Sequence, residues 1–156
     1  MTGRFEIARL GALDLDRAAA LHAESFAPMG EQPWTRRDLA GLMASPGVAA
    51  FLLRSDGQDA GVALCRVAAD EAELLTIAVR PACRRLGGAR RLLAAVLDWA
   101  REAGATTLFL EVGADNPGAQ RLYAAHGFVE AGRRKAYYSR GVLPPADALV
   151  MRRPLG

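Results

Sequence analysis

An apolar run, Leu74-Leu75-Thr76-Ile77-Ala78-Val79, is followed by Arg84-Arg85-Leu86-Gly87-Gly88-Ala89-Arg90 and then by a helix-patterned segment over 91–103. Leu92, Leu93, Val96, Leu97 and Ala100 recur at helical spacing, and Gly104 stands where a C-terminal glycine stops a helix. A strand, a glycine turn and a helix start in that order constrain the chain strongly. The unpartnered amides of the first helical turn point outward, and the helix dipole adds about half a positive charge there. Glycine lets an anion approach the backbone closely. The segment therefore predicts a site for a phosphorylated cofactor.

The rest of the chain predicts an α/β (α+β) protein. Residues 5–10 alternate as a first strand, and 13–26 carry a helical stripe. Residues 27–33 read as a loop, and Thr35 is the expected N-cap of a short helix ending at Met43. Strands are expected over 48–54, 61–67 and 70–79, with a turn at 55–58. A buried strand over 106–112 leads to a helix opened by Asn116-Pro117 and closed by Gly127. Strands over 128–138 and 147–152 follow, separated by a loop over 139–145. The order β-α-α-β-β-β-α-β-α-β-β predicts a mixed, mostly antiparallel sheet of about seven strands with helices on both faces. The length of 156 residues fits one domain spanning 1–156, with no disulfide or metal staple required.

Charge narrows the partners. The net charge is only +3, with a single lysine, Lys135, among the basic residues. Clustered basic residues with interleaved aromatics would mark a nucleic-acid surface. Arg84, Arg85, Arg90 and Arg91, or Arg133, Arg134 and Lys135 beside Tyr137 and Tyr138, are the nearest approach to one. The reading is no direct nucleic-acid partner. No apolar run reaches membrane length and the start lacks a signal-peptide core, so a cytoplasmic protein without a membrane partner is expected. Cys65 and Cys83 give neither a disulfide framework nor a zinc spacing, and no metal site is expected. His22, His126 and both cysteines read as structural, and a monomer is the expected state.

The spacing of the glycines separates the possible cofactors. A triphosphate loop needs Gly-Lys-Ser/Thr, which Gly87-Gly88-Ala89-Arg90 does not supply. A dinucleotide turn needs G-x-G-x-x-G, and adjacent Gly87 and Gly88 fail that spacing. Arg84-Arg85-Leu86-Gly87-Gly88-Ala89 instead fits R/Q-x-x-G-x-G/A. Downstream, Asn116-Pro117-Gly118-Ala119-Gln120-Arg121-Leu122-Tyr123, with His126-Gly127-Phe128 after it, fits Asn-x-x-Ala-x-x-Leu-Tyr-x-x-x-Gly-Phe. With both motifs in order, the chain resembles the GNAT acetyltransferase superfamily, most closely over 71–151.

The resemblance implies acetyl-CoA as co-substrate. It implies that Arg84, Arg85, Leu86, Gly87, Gly88, Ala89 and Arg90 hold the pyrophosphate. It also implies that the backbone of Ile77, Ala78 and Val79 pairs with the pantetheine arm and polarises the thioester carbonyl. Asn116 either touches that arm or caps its helix, or both. Tyr123 occupies the tyrosine position from which a phenol donates to the departing thiolate; the alternative is a core tyrosine at a helix–sheet interface. Glu111 stands in an otherwise apolar strand, where a carboxylate is costly unless paired or functional. It is the candidate base, or else a half-exposed strand residue or half of an ion pair with one of the arginines.

Residues 111–116, 133–138 and 147–151 resemble the bacterial RimI-type branch, which acetylates the N-terminal α-amine of a small-subunit ribosomal protein. Phe26 and Pro33-Trp34 match an early Phe-Pro-Trp feature, interrupted here by a longer 27–32 segment. The resemblance implies a protein or peptide N-terminus as acceptor, with Trp34, Tyr137 and Tyr138 against it. An α-amine suits the chemistry. With a pKa near 8, about a tenth of it is neutral at pH 7, whereas a lysine is almost wholly charged. Arg133, Arg134 and Lys135 read as a solvated turn. Glu31, Asp115 and Glu130 are the acids that could meet a basic peptide. Two other functions remain open at the level of sequence: acetylation of a small-molecule amine, and CoA binding without catalysis as a regulator.

Overall fold

The computed structural model describes residues 5–26, 34–84, 87–140 and 143–156, without the side chains of 139, 140 and 143. The loop expected over 27–33, Arg85 and Leu86 of the glycine turn, and Gly141 and Val142 lie outside the described residues. The first strand, β1 (Phe5–Arg9), is followed by a 3-10 turn (Ala12–Asp14) and two helices, α1 (Leu15–Phe26) and α2 (Arg36–Ala44). Three strands come next: β2 (Val48–Ser55), β3 (Gln58–Ala68) and β4 (Glu71–Val79). Then come α3 (Gly88–Glu102), β5 (Thr107–Gly113), α4 (Pro117–Ala125), β6 (Val129–Arg140) and β7 (Leu143–Pro154). The strands form one sheet in the order β1-β2-β3-β4-β5-β7-β6. Every pairing is antiparallel except β4 with β5. The expected mixed α/β architecture and element order are those observed.

Each face of the sheet buries its own core. Leu92, Leu93, Val96, Leu97 and Ala100 of α3 and Tyr123 of α4 pack with Leu53, Leu74, Leu108, Leu110 and Val112. On the other face, Leu15, Ala18 and Leu21 of α1 and Leu39 of α2 pack with Leu52, Val62, Leu64 and Ala78. Burying each such leucine contributes about 1.5–3 kcal/mol against conformational entropy. A capping box starts α2. Thr35 Oγ1 accepts from Asp38 N at 3.1 Å and Asp38 Oδ2 accepts from Thr35 N at 2.9 Å.

One extra residue interrupts the centre of the sheet. Leu64 pairs with Thr76 and Cys65 with Leu74, so Leu75 has no partner on β3. A bulge of this kind bends a strand and reverses its faces. Ala72 and Leu74 accordingly belong to the α3 core, whereas Ala78 belongs to the α1 core and Thr76 meets His22 of α1. Parallel pairing with β5 ends at the same point, at Leu74 with Leu110. Beyond it, the β5-facing edge of β4 has no strand partner among the described residues.

Several boundaries differ from the sequence expectation, and β3 already starts at Gln58, inside the turn expected over 55–58. The loop expected over 139–145 is largely strand, because β6 runs to Arg140 and β7 starts at Leu143. Pro144 and Pro145 are tolerated there since β5 pairs with β7 only from Ala148 onward, so no ladder bond is lost on that side. Helix α3 begins at Gly88, ahead of the expected Arg91, because Gly87 takes the left-handed conformation (φ 90°) and turns the chain directly into the helix.

Gly61 marks a second constraint on the divergence of β4. A Cβ there would lie 2.7 Å from the Ala78 carbonyl oxygen and 3.1 Å from Leu92. Gly61→Ala is therefore expected to lower stability by about 1–3 kcal/mol through overpacking, measured by urea unfolding. A change within error would show that β4 can yield at Ala78 without cost.

Candidate active site

A cleft of about 1020 Å³ opens where β4 and β5 part. Its lining comes from both faces of the sheet. Gly87 to Arg90 of the glycine turn and Asn116, Ala119, Leu122 and Tyr123 of α4 and its cap contribute from the α3 side. His22, Ser25, Phe26 and Trp34 contribute from the α1 side. Leu74 to Val79 form one wall, Glu111 to Gly113 the other, and Tyr137 and Tyr138 reach in from β6. The gap thus connects the two faces, and the described residues expected to be catalytic, to hold the cofactor or to wall the acceptor all line it.

The glycine turn fits an anion. Gly87 has open space where a Cβ would stand. The first intrahelical bond of α3 runs from Arg91 N to Gly87 O at 3.1 Å, so the amides ahead of it are not used within the helix. Arg84 has a bracing role in addition to its place in the motif. Its Nε donates to Val79 O and its Nη2 to Ser25 O, each at 3.1 Å. Ser25 Oγ, whose one proton is shared with Leu21 O at 2.8 Å, lies 3.2 Å from the same Val79 carbonyl. Together they fasten the diverging end of β4 to the end of α1.

Glu111 reaches the cleft by strand alternation. Leu108, Leu110 and Val112 face the α3 core and are buried, so Glu111 points to the opposite face with 24% of its side chain exposed. The alternate positions Thr107, Phe109 and Glu111 of this buried strand are half-buried. Arg134 Nε lies 3.2 Å from Glu111 Oε1. Arg134 also sits over the Tyr137 ring, 5.2 Å from its centroid. Residues 133–135 belong to β6, as the strand expected over 128–138 implies and the solvated-turn reading does not. Arg134 pairs with Ala148, which pairs in turn with Gly113, so a small residue on β7 separates Arg134 from the end of β5. The ion-pair reading of Glu111 is therefore part of the geometry.

Tyr123 is 5% exposed and meets Phe128 edge-on at 5.8 Å. Burial, with Tyr138 adding a smaller effect, pushes its phenol well above the ordinary value, so the proton stays on oxygen. Asn116 caps α4 through Oδ1, which accepts from Ala119 N at 3.2 Å, while also lining the cleft. Tyr137 and Tyr138 touch edge to face at 5.3 Å. Among the candidate acids, Glu31 lies outside the described residues, Asp115 lines a separate shallow depression, and Glu130 is exposed and lines neither.

The chain matches the family model for the acetyltransferase (GNAT) family over residues 15–128. The protein belongs to this family. It is 38% identical, over all of this chain and 98% of the relative, to the N-alpha-acetyltransferase RimI of Mycobacterium tuberculosis. It is 36% identical, over 90% of this chain and 92% of the relative, to the [ribosomal protein bS18]-alanine N-acetyltransferase of Escherichia coli. The crystal structure of the ribosomal-protein-S18-alanine N-acetyltransferase from Escherichia coli superposes with a TM-score of 0.89 at 33% identity, covering 98% of this chain and 95% of that one. In this acetyltransferase framework, the glycine turn, the splayed strand and the α4 tyrosine all border one cleft.

His22 was read from sequence as structural, yet it helps to form the cleft. Its Nδ1 accepts from Trp34 N at 3.1 Å, which leaves the proton on Nε2, 3.3 Å from Thr76 Oγ1. Its ring stacks on Trp34 at 4.9 Å and lies 4.5 Å from Phe26. The sequence signal was a histidine on the buried stripe of α1, one turn before Phe26. His126 and Cys65 do read as structural. His126 Nδ1 lies 2.9 Å from Leu122 O, and burial pushes the Cys65 thiol up to about 12.

Burial lowers the His22 pKa from 6.5 to about 4. The unfolded chain then holds the proton more tightly than the folded one. The associated stability is complete above about pH 6.5, falls as pH drops toward 4 and levels off below it, an effect of ~3 kcal/mol. Denaturant unfolding at pH 7.5 and 4.5 should show this loss in the wild type and a smaller one in His22→Gln. Equal pH dependence in the two proteins would remove His22 as the source.

Proposed function

We propose that the protein transfers the acetyl group of acetyl-CoA to the N-terminal α-amine of a protein, with the N-terminal alanine of a bS18-type ribosomal protein as acceptor. The full-length likeness to two α-amine acetyltransferases carries this reading. A cleft that joins an anion-binding turn to an aromatic wall through the sheet supports it. An acceptor of that kind places the reaction in the cytoplasm.

Acetyl-CoA, when bound, supplies an acetyl group activated as a thioester. The glycine turn, from Arg84 through Arg90, holds the pyrophosphate with backbone amides and the helix dipole. The β5-facing edge of β4 at Ile77, Ala78 and Val79, which has no strand partner among the described residues, pairs with the pantetheine arm, and one amide polarises the carbonyl. Asn116 borders the same arm. Trp34, Tyr137 and Tyr138 hold the acceptor so that both substrates are present together.

Glu111 is the base, directly or through a water. It is partnered by Arg134 at rest, so an arriving ammonium exchanges one cation for another beside the carboxylate. The ammonium gives one proton to Glu111, and the neutral nitrogen bonds to the acetyl carbon. The carbon–sulfur bond breaks with the electron pair leaving on sulfur, and the second proton lost by nitrogen neutralises that sulfur as the thiol. Tyr123 donates its hydroxyl proton toward that sulfur. A thiol has a pKa near 8.5 and this phenol lies above 10, so the charge-assisted hydrogen bond contributes more than complete transfer.

An alanine-first peptide copied from a bS18 N-terminus, a peptide with a blocked N-terminus and internal lysine, and a panel of polyamines and amino acids test the acceptor by mass spectrometry with acetyl-CoA. Acetylation is expected on the α-amine of the first peptide. Modification confined to small amines would overturn the reading, and CoA binding with no turnover on any amine would point to a regulator. Glu111→Gln should lower kcat by about 10²–10⁴, and Tyr123→Phe by about 10²–10³. Acetyl-CoA affinity, measured by calorimetry, should hold in both. Unchanged turnover would remove the residue concerned from the mechanism.

A further inference from the structure

Strand β6 does not run straight into the cleft. It advances four residues, 134 to 138, while β7 advances two, 148 to 146. Within this bulge Ala136 has φ 50°, a left-handed conformation that alanine disfavours. Tyr137 and Tyr138 follow it directly and line the cleft.

One side chain holds the distortion in place. Asp147 Oδ1 accepts from Ala136 N at 2.8 Å, and Asp147 Oδ2 accepts from Arg133 Nε at 2.8 Å. The main-chain carbonyl of Asp147 accepts from Ala114 N, also at 2.8 Å. The same residue therefore ties the bulge of β6 to the end of β5, just past Glu111 and just before Asn116. We propose that Asp147 is the positioning residue for the acceptor wall, fixing Tyr137 and Tyr138 against the Glu111 end of β5. It acts through the tyrosines and does not itself border the main cleft. The Ala136 amide, and secondarily the Arg133 guanidinium, holds its carboxyl below the usual carboxylate range, as expected of a carboxylate gripped by donors. The inference rests on the reading that this wall receives the acceptor.

Three variants test it: Asp147→Asn, which keeps an oxygen for Ala136 N; Asp147→Ala, which removes both acceptors; and Asp147→Ala combined with Ala136→Gly. In the wild type, the Ala136 amide should be protected from hydrogen exchange. In Asp147→Ala, exchange across 133–138 should accelerate and the acceptor KM rise about tenfold, as for loss of a charge-assisted hydrogen bond. The acetyl-CoA KM should stay constant. Asp147→Asn should remain near wild type. Glycine accepts a positive φ without steric cost, so the double variant should recover most of the acceptor KM. An unprotected Ala136 amide in the wild type would overturn the proposal, as would an equal rise in both KM values or a failure of glycine to rescue. If the wild type acetylates none of the amines tried, the acceptor assignment fails instead. The exchange pattern, with the near-ultraviolet circular dichroism of the tyrosines, then decides the role of Asp147.

Discussion

The unpartnered Leu75 is the constraint on which the site depends. A regular β4 would keep residues 72, 74, 76 and 78 on one face and would continue beside β5. The bulge instead places Leu74 in the α3 core and Ala78 in the α1 core, and pairing with β5 stops at Leu74. Exposing a strand edge in the middle of a sheet is unfavourable unless another group satisfies it. Here the arrangement is braced from several directions. Arg84 and Ser25 converge on the Val79 carbonyl, Gly61 leaves room for Ala78, and His22 meets Thr76. These contacts lie on both sides of the sheet, so neither core alone accounts for the gap.

The split sheet also determines which side chains can meet. Glu111 belongs to the face opposite its buried neighbours Leu110 and Val112, whereas Tyr123 comes from the α3 face. In a continuous sheet they would be separated by backbone. The divergence of β4 from β5 puts both on one cavity. Their environments differ accordingly. Tyr123 is enclosed and keeps its proton, while Glu111 is half-buried beside a guanidinium. A phenol and a carboxylate are thus held in environments of different polarity by the two faces on which they originate.

Much of this was legible in the sequence because it is local. The helical spacing of Leu92, Leu93, Val96 and Leu97, the Thr35 cap, the Asn116-Pro117 helix start and the Gly87–Gly88 turn each depend on a few neighbouring residues. Those elements appear where the spacing placed them. The bulge at Leu75 left no such mark, since the run from Leu74 to Val79 is apolar except for Thr76 and both faces of β4 pack against a core. Either register satisfies the same hydrophobic pattern. Likewise, Arg133-Arg134-Lys135 looks like a solvated turn from composition alone. Only pairing across β7 shows that Arg134 can reach Glu111 and that Arg133 reaches Asp147.

This difference follows the two halves of the cleft. The glycine-turn side offers main-chain amides at a helix start and a strand edge that has no strand partner among the described residues, and a short motif is enough to encode both. The aromatic side is assembled from residues distant in sequence: Trp34 oriented by His22, and Tyr137 and Tyr138 placed by a bulge whose support comes from the facing strand. Side chains there have direct contact with whatever enters, and their positions are set by tertiary hydrogen bonds. A family can therefore preserve the first half through a few glycines while altering the second by changing how β6 and β7 are held. In this chain that control passes through a carboxylate on β7, which lies outside both of the motifs that identify the fold.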